Sequence, residues 1–293
     1  MLKNFVVALD GSECALHALD LALLLAKGTS SKISICSVAD PAPAYGTGSS
    51  TTIEQAVARI RAHAQRVVDE ALAKANQHGA AAAGIVLEGE PVFEMVGYTK
   101  GVDADAIVVG THGRSGLKRL FMGSVAEGVL HTASVPVFTV RAEARVAANA
   151  GILVPVDGSA CSLEALDVAV GFAAALGSDV IVCHVVDLAR AATLSGGEAQ
   201  LVAGCLEELQ AEARALVADA EKSVAGRVPV SAQTAEGAPV AEIERLAAEI
   251  EPTFIVIGSH GRTGLSRLLM GSVAEGVVRS APAPVMVIPP NLK

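Results

Sequence analysis

Short apolar runs rich in Val, Ile and Leu alternate along the chain with longer segments in which apolar residues recur every three to four positions. In the first half, the runs at 5–9, 33–38, 83–87, 106–109 and 135–140 predict β-strands. Between them the longer period predicts helices from Ser12 to Lys27, over 53–77, over 92–100 and from Ser124 onward. The second half repeats the pattern, with strands predicted at 152–156, 180–185, 228–234, 254–257 and 285–288. The order is βαβαβαβαβ twice, which demands right-handed crossovers and a mostly parallel sheet with helices on both faces. The segment 41–53, PAPAYGTGSSTTI, is rich in Pro, Gly and Ser and reads as a loop at the mouth of a crevice, as does Ser195-Gly196-Gly197.

The two halves are copies of one unit. Val7-Ala8-Leu9-Asp10-Gly11-Ser12 returns as Val154-Pro155-Val156-Asp157-Gly158-Ser159, an offset of 147. The segment 110–130 aligns with 258–278 at 16 of 21 identical positions. Gly89-Glu90-Pro91 matches Gly237-Ala238-Pro239, so the copies differ there by one residue in length. These registers divide the chain into domains at 1–146 and 147–293, joined by the short segment 143–150. The surfaces have diverged: thirteen basic face fourteen acidic residues up to residue 147, and nine face seventeen beyond it.

Composition narrows the class. The 293 residues are 52% hydrophobic, with 3% aromatic residues and no Trp, so the core is built from Ala, Val, Leu and Ile. The net charge of -9 argues against nucleic-acid phosphates or anionic lipid as partners. Neither a signal-peptide h-region nor a membrane-spanning run is visible, which predicts a soluble cytoplasmic protein. Five cysteines without CxxC spacing indicate neither a disulfide framework nor a metal site. Cys14 matches Cys161 and Cys36 matches Cys183, and all four read as small core residues. The remaining histidines, His17, His63, His78, His131 and His184, show no metal-ligand spacing and read as surface or core.

In a doubly wound sheet, ligands bind beyond the carboxyl ends of the strands. There the fourth strand runs into a loop of form G-x2-G-x9-G-S: Gly110, Gly113, Gly123 and Ser124, then Gly258, Gly261, Gly271 and Ser272. Glycines let backbone N–H groups approach an anion, and the helix that follows adds a favourable dipole. A phosphate chain fits this description. Arg114, Lys118 and Arg119, with Arg262 and Arg267, supply cations on the same loops, and Ser266 replaces the lysine. A second reading coexists with the first: Ser124 to Glu127 and Ser272 to Glu275 have the form of capping boxes. Asp10 and Asp157 admit two roles, a helix cap or an acceptor for a ribose hydroxyl, a base amino group or a cation. His112 and His260 admit two roles, contact with phosphate or shaping of their loops, with the second preferred. No GxxxxGK[ST] loop, no G-x-G-x-x-G after the first strand and no catalytic triad is present.

The strand-end aspartates, Val38 and Val185 on the second strands, the doubled glycine loop and the terminal strands VPVFTV and APVMVI resemble the universal stress protein family in its tandem form. The resemblance covers essentially the whole chain. It implies two Rossmann-like α/β domains related to adenine nucleotide alpha hydrolases, each an open five-stranded parallel sheet of order 3-2-1-4-5. In the ATP-binding branch, the resemblance implies that Asp10 and Val38 meet the nucleoside, Val38 mainly through its backbone, while Gly110, Gly113, Gly123, Ser124 and Val125 line the phosphates. Asp157, Val185, Gly258, Gly261, Gly271, Ser272 and Val273 take the same places in the second copy. The implied ligand is ATP accompanied by Mg²⁺. The implied role is a stress or growth-arrest regulator whose nucleotide state alters binding to a protein partner. A slow ATPase or nucleotide-modifying enzyme, and a nucleotide-free scaffold, are the alternatives. In single-domain relatives the fifth strand pairs between subunits, so 135–140 is expected to meet 285–288 in an intramolecular pseudo-dimer; association of two chains stays open.

Overall fold

The computed structural model describes residues 3–45, 50–113, 122–147, 150–194, 199–261 and 270–290. The chain forms two compact units, Met1–Glu143 and Ala144–Lys293. The first contains β1 (Asn4–Ala8), α1 (Glu13–Thr29), β2 (Lys32–Ala39), α2 (Ser50–Gln77), β3 (Ala82–Glu88), α3 (Pro91–Gly101), β4 (Ala106–Gly110), α4 (Ser124–Thr132) and β5 (Val137–Val140). The second contains β6 (Ile152–Pro155), α5 (Ala160–Leu176), β7 (Val180–Asp187), α6 (Leu188–Leu194), α7 (Ala199–Val224), β8 (Val230–Gly237), α8 (Pro239–Ile250), β9 (Phe254–Gly258), α9 (Ser272–Ser280) and β10 (Val285–Ile288).

Within the first unit the strands run parallel in the order β3-β2-β1-β4-β5. Within the second the order is β8-β7-β6-β9-β10, again parallel. This is the 3-2-1-4-5 order expected. The central strands are continuous hydrophobic runs because helices cover both of their faces. Phe5, Val6, Val7, Ile107 and Val108 have no exposed surface, and Ile152, Leu153, Phe254 and Ile255 repeat that burial. Each fully buried Leu, Ile or Phe contributes about 1.5–3 kcal/mol. The chain turns one way from β1 through β2 to β3 and the other way from β4 to β5, so the strand order reverses between β1 and β4. At that point the loops splay apart and leave a crevice beyond the strand ends.

Two local expectations change. The segment expected as a loop at 41–53 holds a 3₁₀ turn at Ala42–Ala44, and α2 already begins at Ser50. Asp40 starts that turn, its Oδ1 accepting from the N–H of Ala42 at 2.8 Å. Asp187 acts in the same way on the N–H of Ala189 at 2.9 Å, and there the chain continues into α6, a helix the strand and helix periods did not predict. Residues 46–49 and Ser195 to Gly197 lie outside the described residues. Among the described residues, no helix is long and apolar enough to cross a membrane.

Candidate functional site

The first half of each site is the turn that ends the first strand. Gly11 and Gly158 take φ of +83° and +80°, a conformation that favours glycine. Ser12 follows and caps α1, its Oγ accepting from the N–H of Ala15 at 3.3 Å. Ser159 caps α5 in the same way, accepting from Ser162 at 3.2 Å. The cap role considered for Asp10 and Asp157 therefore belongs to the serines. Asp10 Oδ1 instead accepts from the N–H of Ser12 at 3.0 Å, and Asp157 Oδ1 from Ser159 at 3.0 Å, which holds each carboxylate at the strand end. From α2, His63 Nε2 lies 3.3 Å from the Asp10 carbonyl oxygen and donates to it.

The second half is the loop after the fourth strand. Ser12 Oγ donates to the carbonyl of His112 at 3.2 Å, so the two halves are tied together. His112 Nδ1 lies 2.9 Å from Thr111 Oγ1, and His260 repeats this with Ser259 Oγ at 2.9 Å. Both histidines thus shape their loops. Gly113 faces Asp10: a Cβ built on it would stand 2.8 Å from Asp10 Oδ2, and one on Gly261 would stand 2.6 Å from Asp157 Oδ2. Gly110 has a different reason for being glycine. Its Cβ would fall 2.8 Å from the backbone nitrogen of Ala15, and one on Gly258 would fall 2.9 Å from the carbonyl carbon of Cys161. These two positions let α1 and α5 pack directly on the ends of β4 and β9.

The capping boxes expected at Ser124 and Ser272 do not form. The N-caps are Gly123 and Gly271, in extended conformation and with no side-chain cap bond. The first helical bonds run from the N–H of Glu127 to the Gly123 carbonyl at 3.0 Å, and from Glu275 to Gly271 at 2.9 Å. Ser124 and Ser272 are consequently the first helical residues, and both are exposed. Gly123 N–H donates back to the Thr111 carbonyl at 2.7 Å, and Gly271 to Ser259 at 2.7 Å, which pins the helix start beside the glycine turn. The first-turn N–H groups of α4 and α9 have no capping side chain and carry the positive end of the helix dipole. The expected cations Arg114, Lys118, Arg119, Arg262 and Arg267, with Ser266, lie outside the described residues.

In the second unit these parts enclose a crevice of about 320 Å³. It brings together all of Asp157, Val185, Gly258, Gly261, Gly271, Ser272 and Val273, with Leu209 and Leu216 of α7 and Ile243 of α8 as apolar walls. That volume lies within the range of small-molecule sites. The sequence reading did not foresee His184, Asp187 or Glu212 in its lining. Asp187 stands two residues beyond Val185, as Asp40 does beyond Val38, which was the signal available for it. In the first unit, the partly buried Val38 and Val125 pack on a shared cluster of Val6, Cys36, Ile107 and Val109.

Cys14, Cys36 and Cys183 are buried and Cys161 is half-buried, donating to the Ile288 carbonyl at 3.4 Å. Burial pushes the thiols of Cys36 and Cys183 up to about 12, which keeps them protonated and inert. Among the described residues, no group of three or more His, Cys, Asp or Glu is placed to hold a metal.

The sequence profile of the universal stress protein family matches residues 1–141 and 150–289. A universal stress protein of Mycolicibacterium smegmatis is 31% identical over 193 residues, spanning 64% of this chain and 63% of that protein. One from Mycobacterium bovis is 27% identical over 317 residues, spanning 97% of this chain and 94% of that one. The crystal structure of a universal stress protein from Archaeoglobus fulgidus superposes with a TM-score of 0.71 at 25% identity and covers 97% of both chains.

Proposed function

This chain belongs to the universal stress protein family, carrying the family's domain twice, and from that premise we propose that each unit binds one molecule of ATP in the crevice between its first and fourth strands. The observation that carries the proposal is the pair of uncapped helices α4 and α9 set beside a glycine turn and opposite a fixed carboxylate. A carboxylate repels phosphate, so Asp10 and Asp157 take the nucleoside end, accepting from a ribose hydroxyl. The phosphates lie at the N–H groups of Ser124 and Val125, and of Ser272 and Val273, where a helix terminus favours an anion by about 0.3–1 kcal/mol, and up to about 2 when partly buried. Gly113 and Gly261 keep both the carboxylate and the ligand free of a Cβ. Mg²⁺ accompanies the phosphates, which supply its hard oxygen ligands.

The protein acts as a cytoplasmic regulator in stress or growth arrest. Nucleotide draws together the β1 turn and the β4 loop, already linked by Ser12 and His112, and so alters the surface offered to a protein partner. Calorimetric titration of the wild-type chain and Gly123→Val with MgATP tests the reading. A Cβ on Gly123 would stand 3.2 Å from the Thr111 carbonyl oxygen, so a branched side chain there disturbs the helix start and the phosphate path. The wild type should bind twice and the variant once. Absence of binding by the wild type, or unchanged binding by the variant, would overturn it.

A further inference from the structure

We infer that His184 reads the base in the second crevice, selecting one with an exocyclic amino group over one with a carbonyl at the same place. This inference rests on the nucleotide reading above. His184 lies on β7 next to Val185 and lines the crevice. Its Nδ1 stands 2.6 Å from the backbone oxygen of Val156. A carbonyl oxygen only accepts, so Nδ1 carries the hydrogen and donates it. In the neutral ring, Nε2 is then a bare lone pair. That nitrogen bonds to none of the described residues and is not sealed from solvent, so it is available to a ligand.

The neighbouring side chains have the same sense. Asp157 follows β6, Asp187 ends β7 and Glu212 comes from α7, and ionised carboxylates accept without donating. The Ser162 hydroxyl is committed to the Ser159 carbonyl at 2.9 Å. Cys183 is a buried thiol and a weak donor. Ser259, His260 and Ser272 belong to the glycine loop and α9, at the phosphate end. A base amino group satisfies Nε2; a carbonyl oxygen in its place faces a lone pair and leaves both atoms unpaired, which costs about tenfold or more in affinity.

The first unit differs here. Counting from the matched Cys36 and Cys183, Ser37 stands where His184 does. It is buried, and a hydroxyl both donates and accepts. Selection of amino over carbonyl therefore belongs to the second unit alone.

The test is calorimetry of the full chain at pH 8 with MgATP and with the Mg²⁺ complex of inosine triphosphate, whose base has a carbonyl in place of the amino group. His184→Asn keeps an amide N–H for the Val156 carbonyl and has nothing in place of Nε2. The wild type should show one site that prefers ATP by about tenfold or more and one that distinguishes the two by less than about threefold. In His184→Asn the first preference should fall below about threefold through weaker ATP binding, with the other site unchanged. In ¹⁵N spectra of the imidazole rings, the His184 Nε2 resonance, the one absent from the variant, should move on addition of ATP. If the wild type binds ATP with no such preference, if the preference survives His184→Asn, or if Nε2 does not respond, the role of His184 is overturned and the nucleotide reading stands. If the variant does not fold, the Nε2 response of the wild type decides. Binding of neither nucleotide by the wild type overturns both.

Discussion

The Asp10 carboxylate occupies the space that a side chain on Gly113 would need: a Cβ there would stand 2.8 Å from Asp10 Oδ2. Asp157 and Gly261 repeat the relationship at 2.6 Å in the second unit. Asp10 and Gly113 come from different loops, 103 positions apart, and the fit exists only because both loops end at the strand reversal. Gly113 is exposed, and among the described residues a Cβ on it would meet only the Asp10 carboxylate, so Gly113→Ala should displace the carboxylate and little else. We predict about a tenfold loss of ATP affinity at the first site with a stability change within about 0.5 kcal/mol, read by calorimetry and urea unfolding. Unchanged affinity would remove Asp10 from the site.

Gly110→Ala should do the reverse. Its Cβ would press on the backbone of α1 at Cys14 and Ala15, which cannot rotate away as a side chain can. We predict a loss of about 1–3 kcal/mol in urea unfolding, the range for overpacking a tight contact.

The serines of the two helix starts separate capping from binding. Ser12→Ala removes the α1 cap and should cost about 1 kcal/mol of stability. Ser124→Ala removes no cap and should leave unfolding unchanged. Equal destabilisation by the two changes would restore the capping box at Ser124.

The repeat and the alternation of strands and helices were legible in the sequence, because apolar periodicity and duplicated segments are local patterns; the strand order came from the family resemblance. What was not legible depended on contacts between distant segments. Ser124-x-x-Glu127 has the letters of a capping box, but the bond from Gly271 or Gly123 back to the preceding loop starts each helix one residue earlier. Gly110 and Gly113 look equivalent in the motif, yet one packs on a helix and the other faces a carboxylate. His184 lies in an apolar strand like any core histidine, and only the parallel neighbour that supplies the Val156 carbonyl orients its ring.

The buried thiols predict a pH effect. Cys36 and Cys183 are pushed from 9.0 to about 12 in the folded chain, while the unfolded chain ionises them near 9.0. Between those values the unfolded state has released protons that the folded state keeps, so stability falls as pH rises. Each thiol should contribute a loss of roughly 1 kcal/mol per pH unit in that window and nothing below it. Urea midpoints of the wild type and a Cys36→Ala, Cys183→Ala double variant should therefore converge as pH is raised above 9, the double variant having the shallower decline.

The central claim is two nucleotide sites in one chain. The most direct measurement is to purify the native protein gently, denature it, and quantify by mass spectrometry the small molecules released per chain, followed by calorimetric titration of the stripped, refolded or dialysed protein with MgATP. The account predicts adenine nucleotide approaching two per chain, with stripped protein taking up ATP at both sites. No released nucleotide together with no heat of ATP binding would contradict it, and the glycine loops would then serve only to pack the helices.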